Sequence, residues 1–208
     1  MKNLLLGLFC LGIGCVPAAN QITQNTTIID HENTILIIDD KFSKSQENII
    51  WESIAEWGDA TGSPDTILYP LRSPSPIEQS DSLAGDGINR VYLISQNDIT
   101  YRKIQQRNNW PVFSGVTTRY KDGSKSISIV LEYLNPVRIN GNIVKTDLER
   151  LHFLMLHELG HVFGLSHSNK TLMRAISNFK NPCIDQKTLD VFCYNHGNCS
   201  GQHSTCEN

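Results

Sequence analysis

The chain has 208 residues, enough for one domain with a self-sufficient core. Hydrophobic residues make up 39% and charged residues 19%, the proportions of a folded globular chain rather than a disordered one. A formal net charge of −3, with Lys and Arg scattered and never in runs, argues against a nucleic-acid partner.

The N-terminal stretch "MKNLLLGLFCLGIGCVPAAN" reads as an export signal. One Lys precedes an apolar run from Leu4 to Val16, too short to span a bilayer as a permanent anchor, and small residues follow. Val16, Pro17 and Ala18 suit signal-peptidase cleavage near Ala18, so 1–18 is assigned to the signal and 19–32 to a short N-terminal segment. Two rivals remain. One is a lipoprotein signal ending before Cys15, which Gly14 favours and Gly12 does not, leaving a lipid anchor at Cys15. The other is a buried core segment. The first two readings both export the chain, to the outside, to a periplasm or to a lipid-anchored position.

"NTILIIDDKF" (33–42) is a β-branched apolar run and predicts a buried strand. "SKSQENIIWESIAEWGDATG" has Ile50, Ile54 and Trp57 at helical spacing, with Ser43 or Ser45 as cap and Gly58 or Gly62 at the end. Residues 63–89 are rich in Pro, Ser and Asp and read as a long loop with one short strand at 66–69. "RVYLIS" (90–95), "SGVTTRY" and "SISIVLEYL" are three more strands, the last two joined by "KDGS", a hairpin signal. "TDLERLHFLMLHELGHVFG" opens with Thr146 and Glu149 in capping-box register and is apolar on nearly every side, so it should be a buried helix. "IDQKTLDVF" is a short helix capped by Asp185. The order describes one α/β (α+β) sheet carrying two long helices, with no repeat and no second domain.

Four of the six cysteines, Cys183, Cys193, Cys199 and Cys206, lie in the last 26 residues, 183–208. In an exported chain an even count implies two disulfides. A second zinc site is the rival, because His196 and His203 are interleaved with them. Ten residues of helix rise about 15 Å, whereas bridged Cα atoms lie within about 7 Å, which disfavours Cys183–Cys193.

The densest chemistry is in "HELGHVFGLSH", residues 157–167. On a helix, His157 and His161 project from one face and reach one metal, with Glu158 beside them and not needed as a ligand. Gly164 can end the helix in the left-handed conformation, and His167 can then supply a third nitrogen. Three protein ligands leave a fourth zinc position open, the arrangement of a catalytic site. By chance, H-E-x-x-H arises in well under ~1% of chains this long, and the added Gly and His lower that by about 10³.

The stretch "HELGHVFGLSHSNKTLM" resembles the signature of the metzincin metalloproteases, H-E-x-x-H-x-x-G-x-x-H followed by a methionine in a turn. Its wording is most similar to the matrixins and their bacterial relatives, and the order of elements across roughly 33–195 is also similar. The resemblance implies a mixed twisted sheet with a backing helix, a buried zinc helix, a Met-turn and a C-terminal helix. It implies a zinc endopeptidase with one catalytic Zn2+ on His157, His161 and His167. Glu158 would take a proton from the water at the metal and pass it to the leaving amine. Met173 would form an apolar floor. A protein or peptide substrate would lie along an exposed strand edge, for which "SISIVLEYL" is the candidate.

The chain also departs from the matrixin pattern. "MRA" stands where vertebrate matrixins have Met-Tyr-Pro, the interval from His167 to Met173 is shorter, and Ala175 is not the tyrosine ligand of other branches. The stretch between Ala18 and Asn33 leaves little room for a pro-segment and has no cysteine switch. Ca2+ is a weaker expectation, from Asp81 and Asp86 in "SDSLAGDG". Asn25, Asn169 and Asn198 lie in glycosylation sequons, and His31, His152, His196 and His203 read as surface or packing residues. Two rivals to a general protease are a peptidase dedicated to one protein and a non-catalytic zinc-bearing binding or adhesion protein on the same fold. The base Glu158 argues against the latter.

Overall fold

A computed structural model of the protein describes residues 35–63, 66–75, 77, 87–139, 142–169, 171–174, 182–197, 199–200 and 202–206. The export signal, Cys15, Asp81, Asp86, Ala175, His31, Asn25 and Asn198 lie outside the described residues. Five strands form the main sheet: β1 (Ile35–Ile38), β2 (Tyr69–Arg72), β3 (Asn89–Ile94), β4 (Gly115–Arg119) and β5 (Lys125–Val130). Their order is β2-β1-β3-β5-β4, with β4 alone antiparallel to its neighbour. Four helices accompany them: α1 (Lys44–Thr61), α2 (Ile99–Asn108), α3 (Asp147–Val162) and α4 (Gln186–His196). A small hairpin of β6 (Val137–Ile139) and β7 (Asn142–Lys145) precedes α3. This is a mixed α/β fold.

Side-chain alternation along the strands divides the core between two faces. Leu36, Ile38, Val91, Leu93, Ile127 and Ile129 face α1, α3 and α4. Tyr92, Ile94, Val116 and Val130 face the other way, onto Tyr101 of α2 and Phe113. α1 starts with a capping box, Ser43 Oγ accepting from the Gln46 amide while the Gln46 side chain accepts from the Ser43 amide. It backs α3 through Trp57, whose indole Nε1 donates to Leu156 O at 3.0 Å and whose ring meets Phe163 edge-on at 5.4 Å.

Several expectations need correction. β2 begins at Tyr69, so the short strand falls later than 66–69, and Thr66 sits in a 3-10 turn. The strand expected over 126–134 ends at Val130 and becomes a 3-10 turn, Leu131–Leu134. α2 and the β6–β7 hairpin were not anticipated. α2 buries only Tyr101 and its sequence "ITYRKIQQRN" is largely polar, so no apolar stripe announces it. The substrate-edge candidate is also overturned, since β5 is paired with β3 on one side and β4 on the other. Its Ser-Ile alternation imitates a half-exposed strand, yet Ser126 and Ser128 are buried. Among the described strands, the sheet edge beside α3 belongs to β4.

The C-terminal residues are tied to the body by two disulfides, Cys183–Cys206 and Cys193–Cys199. Backbone bonds from Ser200 and His203 to Thr61 O and Ala60 O lay this segment over the end of α1. Thr205 donates to Glu56 of α1, whose other carboxylate oxygen meets His152 of α3 at 2.8 Å. Because the Cys183–Cys206 bridge closes a loop of 23 residues, its removal by paired Ser substitution should lower unfolding free energy by about 3 kcal/mol. Urea denaturation with the second bridge left intact would measure this, and an unchanged midpoint would contradict it.

Candidate metal centre

α3 starts where the sequence says it should: Thr146 Oγ1 accepts from the Glu149 amide at 3.1 Å, and Glu149 Oε2 accepts from the Thr146 amide at 2.7 Å. Its last turn carries His157 and His161 on one side. After Phe163 the chain turns at Gly164, whose φ of +90° lies where a side chain is strained. Leu165 N–H then donates to Gly160 O at 2.9 Å. That reversal brings His167 back to the helix.

One potential ligand atom from each of His157, His161 and His167 lies within 4.8 Å of the others, and this is the one such cluster among the described residues. Two of the imidazoles are oriented from behind. His157 Nδ1 is 2.8 Å from Leu172 O and His161 Nδ1 is 2.7 Å from Leu165 O. A carbonyl only accepts, so each Nδ1 carries the proton and each Nε2 keeps its lone pair. His161 Nε2 stands 3.1 Å from His167 Nε2. Burial holds all three rings below the usual histidine pKa, His157 at about 4, and neighbouring imidazoles add to the effect at His157 and His167. Neutral imidazole nitrogens at this spacing fit zinc.

Glu158 is 3% exposed. Its Oε2 accepts from Thr117 Oγ1 at 2.7 Å, and the same hydroxyl lies 3.0 Å from the backbone carbonyl of Glu158. Burial pushes its carboxyl up to about 7, while the Thr117 bonds pull the other way. The group is thus poised near neutrality, suited to receiving and returning a proton.

The turn containing Met173 adjoins His157 through the carbonyl of Leu172. Ser168 N–H donates to Met173 O at 2.8 Å and closes the turn. Met173 is buried, with its sulfur so near Gly160 that a Cβ there would sit 2.4 Å from Sδ. Leu172, whose carbonyl orients His157, donates its own N–H to Asp185 Oδ2 at 2.6 Å. Asp185 also caps α4, accepting from Thr188 N at 3.0 Å. A three-membered link therefore runs from α4 through the Met173 turn to His157.

His157, Glu158, His161, Gly164, His167 and Met173 are brought together here. Cys193 and Cys199, partly buried, pack at the edge of the main core, and His196 Nε2 donates to Phe163 O at 2.8 Å. With Cys183, Cys193, Cys199 and Cys206 in disulfides, these four leave no thiolate for a zinc site with His196 and His203. The contributions of Thr117, Gly115, Gly160 and Asp185 to the site escaped the sequence reading. Only Gly160 left a signal: a glycine inside a helix costs about 1 kcal/mol relative to Ala, so it needs a packing reason.

No family model and no curated protein matches the chain. Among solved structures, it is similar to archaemetzincin from Methanopyrus kandleri, at 12% identity and a TM-score of 0.47, covering 81% of this chain and 98% of that one. It is also similar to the GM1-bound form of the ECX AB5 holotoxin, at 12% identity and a TM-score of 0.40, covering 81% of this chain and 72% of that one.

Two outcomes follow from this packing. Gly160→Ala should destabilise the protein by about 1–3 kcal/mol through forced displacement of Met173, read as a lower denaturation midpoint. In metal-free protein, Glu158 has a folded pKa of about 7, raised above its unfolded value near 4.5. The stability it contributes is complete below pH 4.5 and is lost as pH rises through 7. Glu158→Gln lacks this loss, so its advantage over wild type in thermal melts should grow between pH 4.5 and 7 and then level off. A pH-independent difference would contradict the assignment.

Proposed function

We propose that this chain is an exported zinc-dependent endopeptidase of metzincin-like, matrixin-like build. The carrying observation is the convergence of three imidazoles, two of them oriented from behind, next to a buried glutamate and beside a strand paired on one side only among the described residues. His157, His161 and His167 would hold the metal and leave a coordination position open. The chemistry supplied by zinc when held there is Lewis acidity, which polarises a carbonyl and lowers the pKa of water.

The rest falls to the chain itself. β4 is hydrogen-bonded only to β5 among the described strands, so its outer backbone groups can pair with an extended peptide. Gly115 and Thr117 of that strand touch Glu158, which sets the paired peptide beside the carboxylate. Glu158 accepts a proton from the attacking water and returns it to the departing nitrogen. Met173 gives the histidines an apolar floor and ligates nothing. Export through residues 1–18, with 33–195 as the catalytic domain, agrees with the two disulfides, which persist in oxidising compartments. Among the described residues no helix is long and apolar enough to cross a membrane.

Protein beginning at Ala19, offered a mixed peptide library, should cut internal bonds. Cutting should stop with a zinc chelator and fall by a factor of about 10² or more in Glu158→Gln, with zinc still near one per chain. Wild type that holds zinc and cuts nothing would overturn the reading and favour a binding protein.

A further inference from the structure

The reading of Glu158 as proton carrier leaves open how a side chain with three rotatable bonds keeps its carboxylate in one orientation. Its backbone is fixed by α3, but the terminal torsion of a glutamate is soft and roughly two-fold. The two oxygens are interchangeable unless something distinguishes them. The surroundings do distinguish them. Oε2 receives the Thr117 hydroxyl at 2.7 Å, the Thr117 backbone also bonds to the carboxylate, and Oε1 faces the Cα of Gly115.

We propose that Thr117 is a positioning residue for Glu158, and that with Gly115 it reserves Oε1 as the proton-accepting atom. This rests on the endopeptidase reading above. Three observations carry it. First, the hydroxyl has one proton and two acceptors in reach, the carboxylate at 2.7 Å and the Glu158 carbonyl at 3.0 Å. The charged, nearer acceptor takes it. Second, residues 115 and 117 pair with Ile129 and Ile127 of β5 and share the face of β4 turned to α3, while Val116 turns into the opposite core. The strand must therefore supply both its small residue and its hydroxyl on alternate positions. Third, a Cβ on Gly115 would come 2.8 Å from Oε1 and 3.3 Å from Cδ, displacing the carboxylate.

The backbone of Gly115 has no positive φ, so the glycine answers to space rather than to conformation. A threonine in a strand is ordinary for its β-branched shape. Here its hydroxyl crosses 41 positions of sequence to reach the one carboxylate beside the metal ligands. The same strand that would pair with the peptide backbone thus also fixes the base. Substrate register and base orientation share one element.

The test compares zinc-loaded wild type with Thr117→Val, Thr117→Ser and Gly115→Ala, using a peptide taken from the library. Val keeps the shape and removes the donor, Ser restores the donor, and Ala intrudes on Oε1. Expected is a kcat reduced about 10–100-fold in Val and Ala with KM within about twofold, and recovery to within about threefold in Ser. Zinc content should not change. Crystal structures of the zinc-loaded variants give a second readout. The carboxylate should rotate in Val and shift in Ala, and keep its wild-type orientation in Ser. A Val variant with wild-type kcat overturns the proposal, as does a Ser variant as impaired as Val. If wild type itself cuts nothing, the endopeptidase reading fails, and the carboxylate orientation decides alone: unchanged in Val and Ala, it overturns the positioning role; displaced in both and retained in Ser, it supports it.

Discussion

α3 is buried along most of its length, yet it carries His157, Glu158 and His161 into that burial, where charge is penalised and unpaired polar atoms are costly. Each group is reconciled differently. The histidines stay neutral and give their Nδ1 protons to Leu172 O and Leu165 O. Glu158 is met by the Thr117 hydroxyl from the neighbouring strand. What remains is a set of ligand atoms within 4.8 Å of one another, an arrangement compatible with a zinc ion. Burial that would be a liability in an ordinary core helix is thus matched, group by group, by a fixed acceptor or donor.

Those solutions dictate features well away from α3. Leu172 can orient His157 only if the Met173 turn is itself fixed, and two anchors fix it: Ser168 closes the turn onto Met173, and Asp185 holds the Leu172 amide from the start of α4. Gly160 is the counterpart on the helix, since any side chain there would collide with Met173 Sδ. Lys125 adds its ammonium to the carbonyl of Val162, placing positive charge where the helix dipole ends. Partial burial draws the pKa of that lysine down to about 8.

Local signals made part of this legible. Thr146 and Glu149 mark the start of α3, Gly164 its end, and H-E-x-x-H the ligand face, because each is a statement about residues within a few positions of one another. The Asp-Gly of the β4–β5 turn and the Asp185 cap were legible for the same reason. Contacts between distant residues were not. Thr117 with Glu158, Trp57 with Leu156 and Asp185 with Leu172 depend on which elements become neighbours, and periodicity reports a face without naming what covers it. The same blindness explains the strand edge. Ser126 and Ser128 look like solvent-facing positions, but serine is small enough to be covered, and Ser126 shares a hydrogen bond with Tyr120 at 3.0 Å.

The C-terminal segment completes the argument about rigidity. Ordering ligands at the moment of binding costs free energy, so a frame ordered beforehand would bind a metal more tightly. α4 reaches the centre through Asp185 and Leu172, and the Cys183–Cys206 bridge ties the start of α4 to residues that bond with Ile184 and Glu56. Glu56 in turn meets His152 on α3 itself. The link that starts at α4 thus returns to the metal helix by a second route through α1, with a covalent bond between the two. In an oxidising compartment that bond persists, and α3 is held at two positions, His152 and His157.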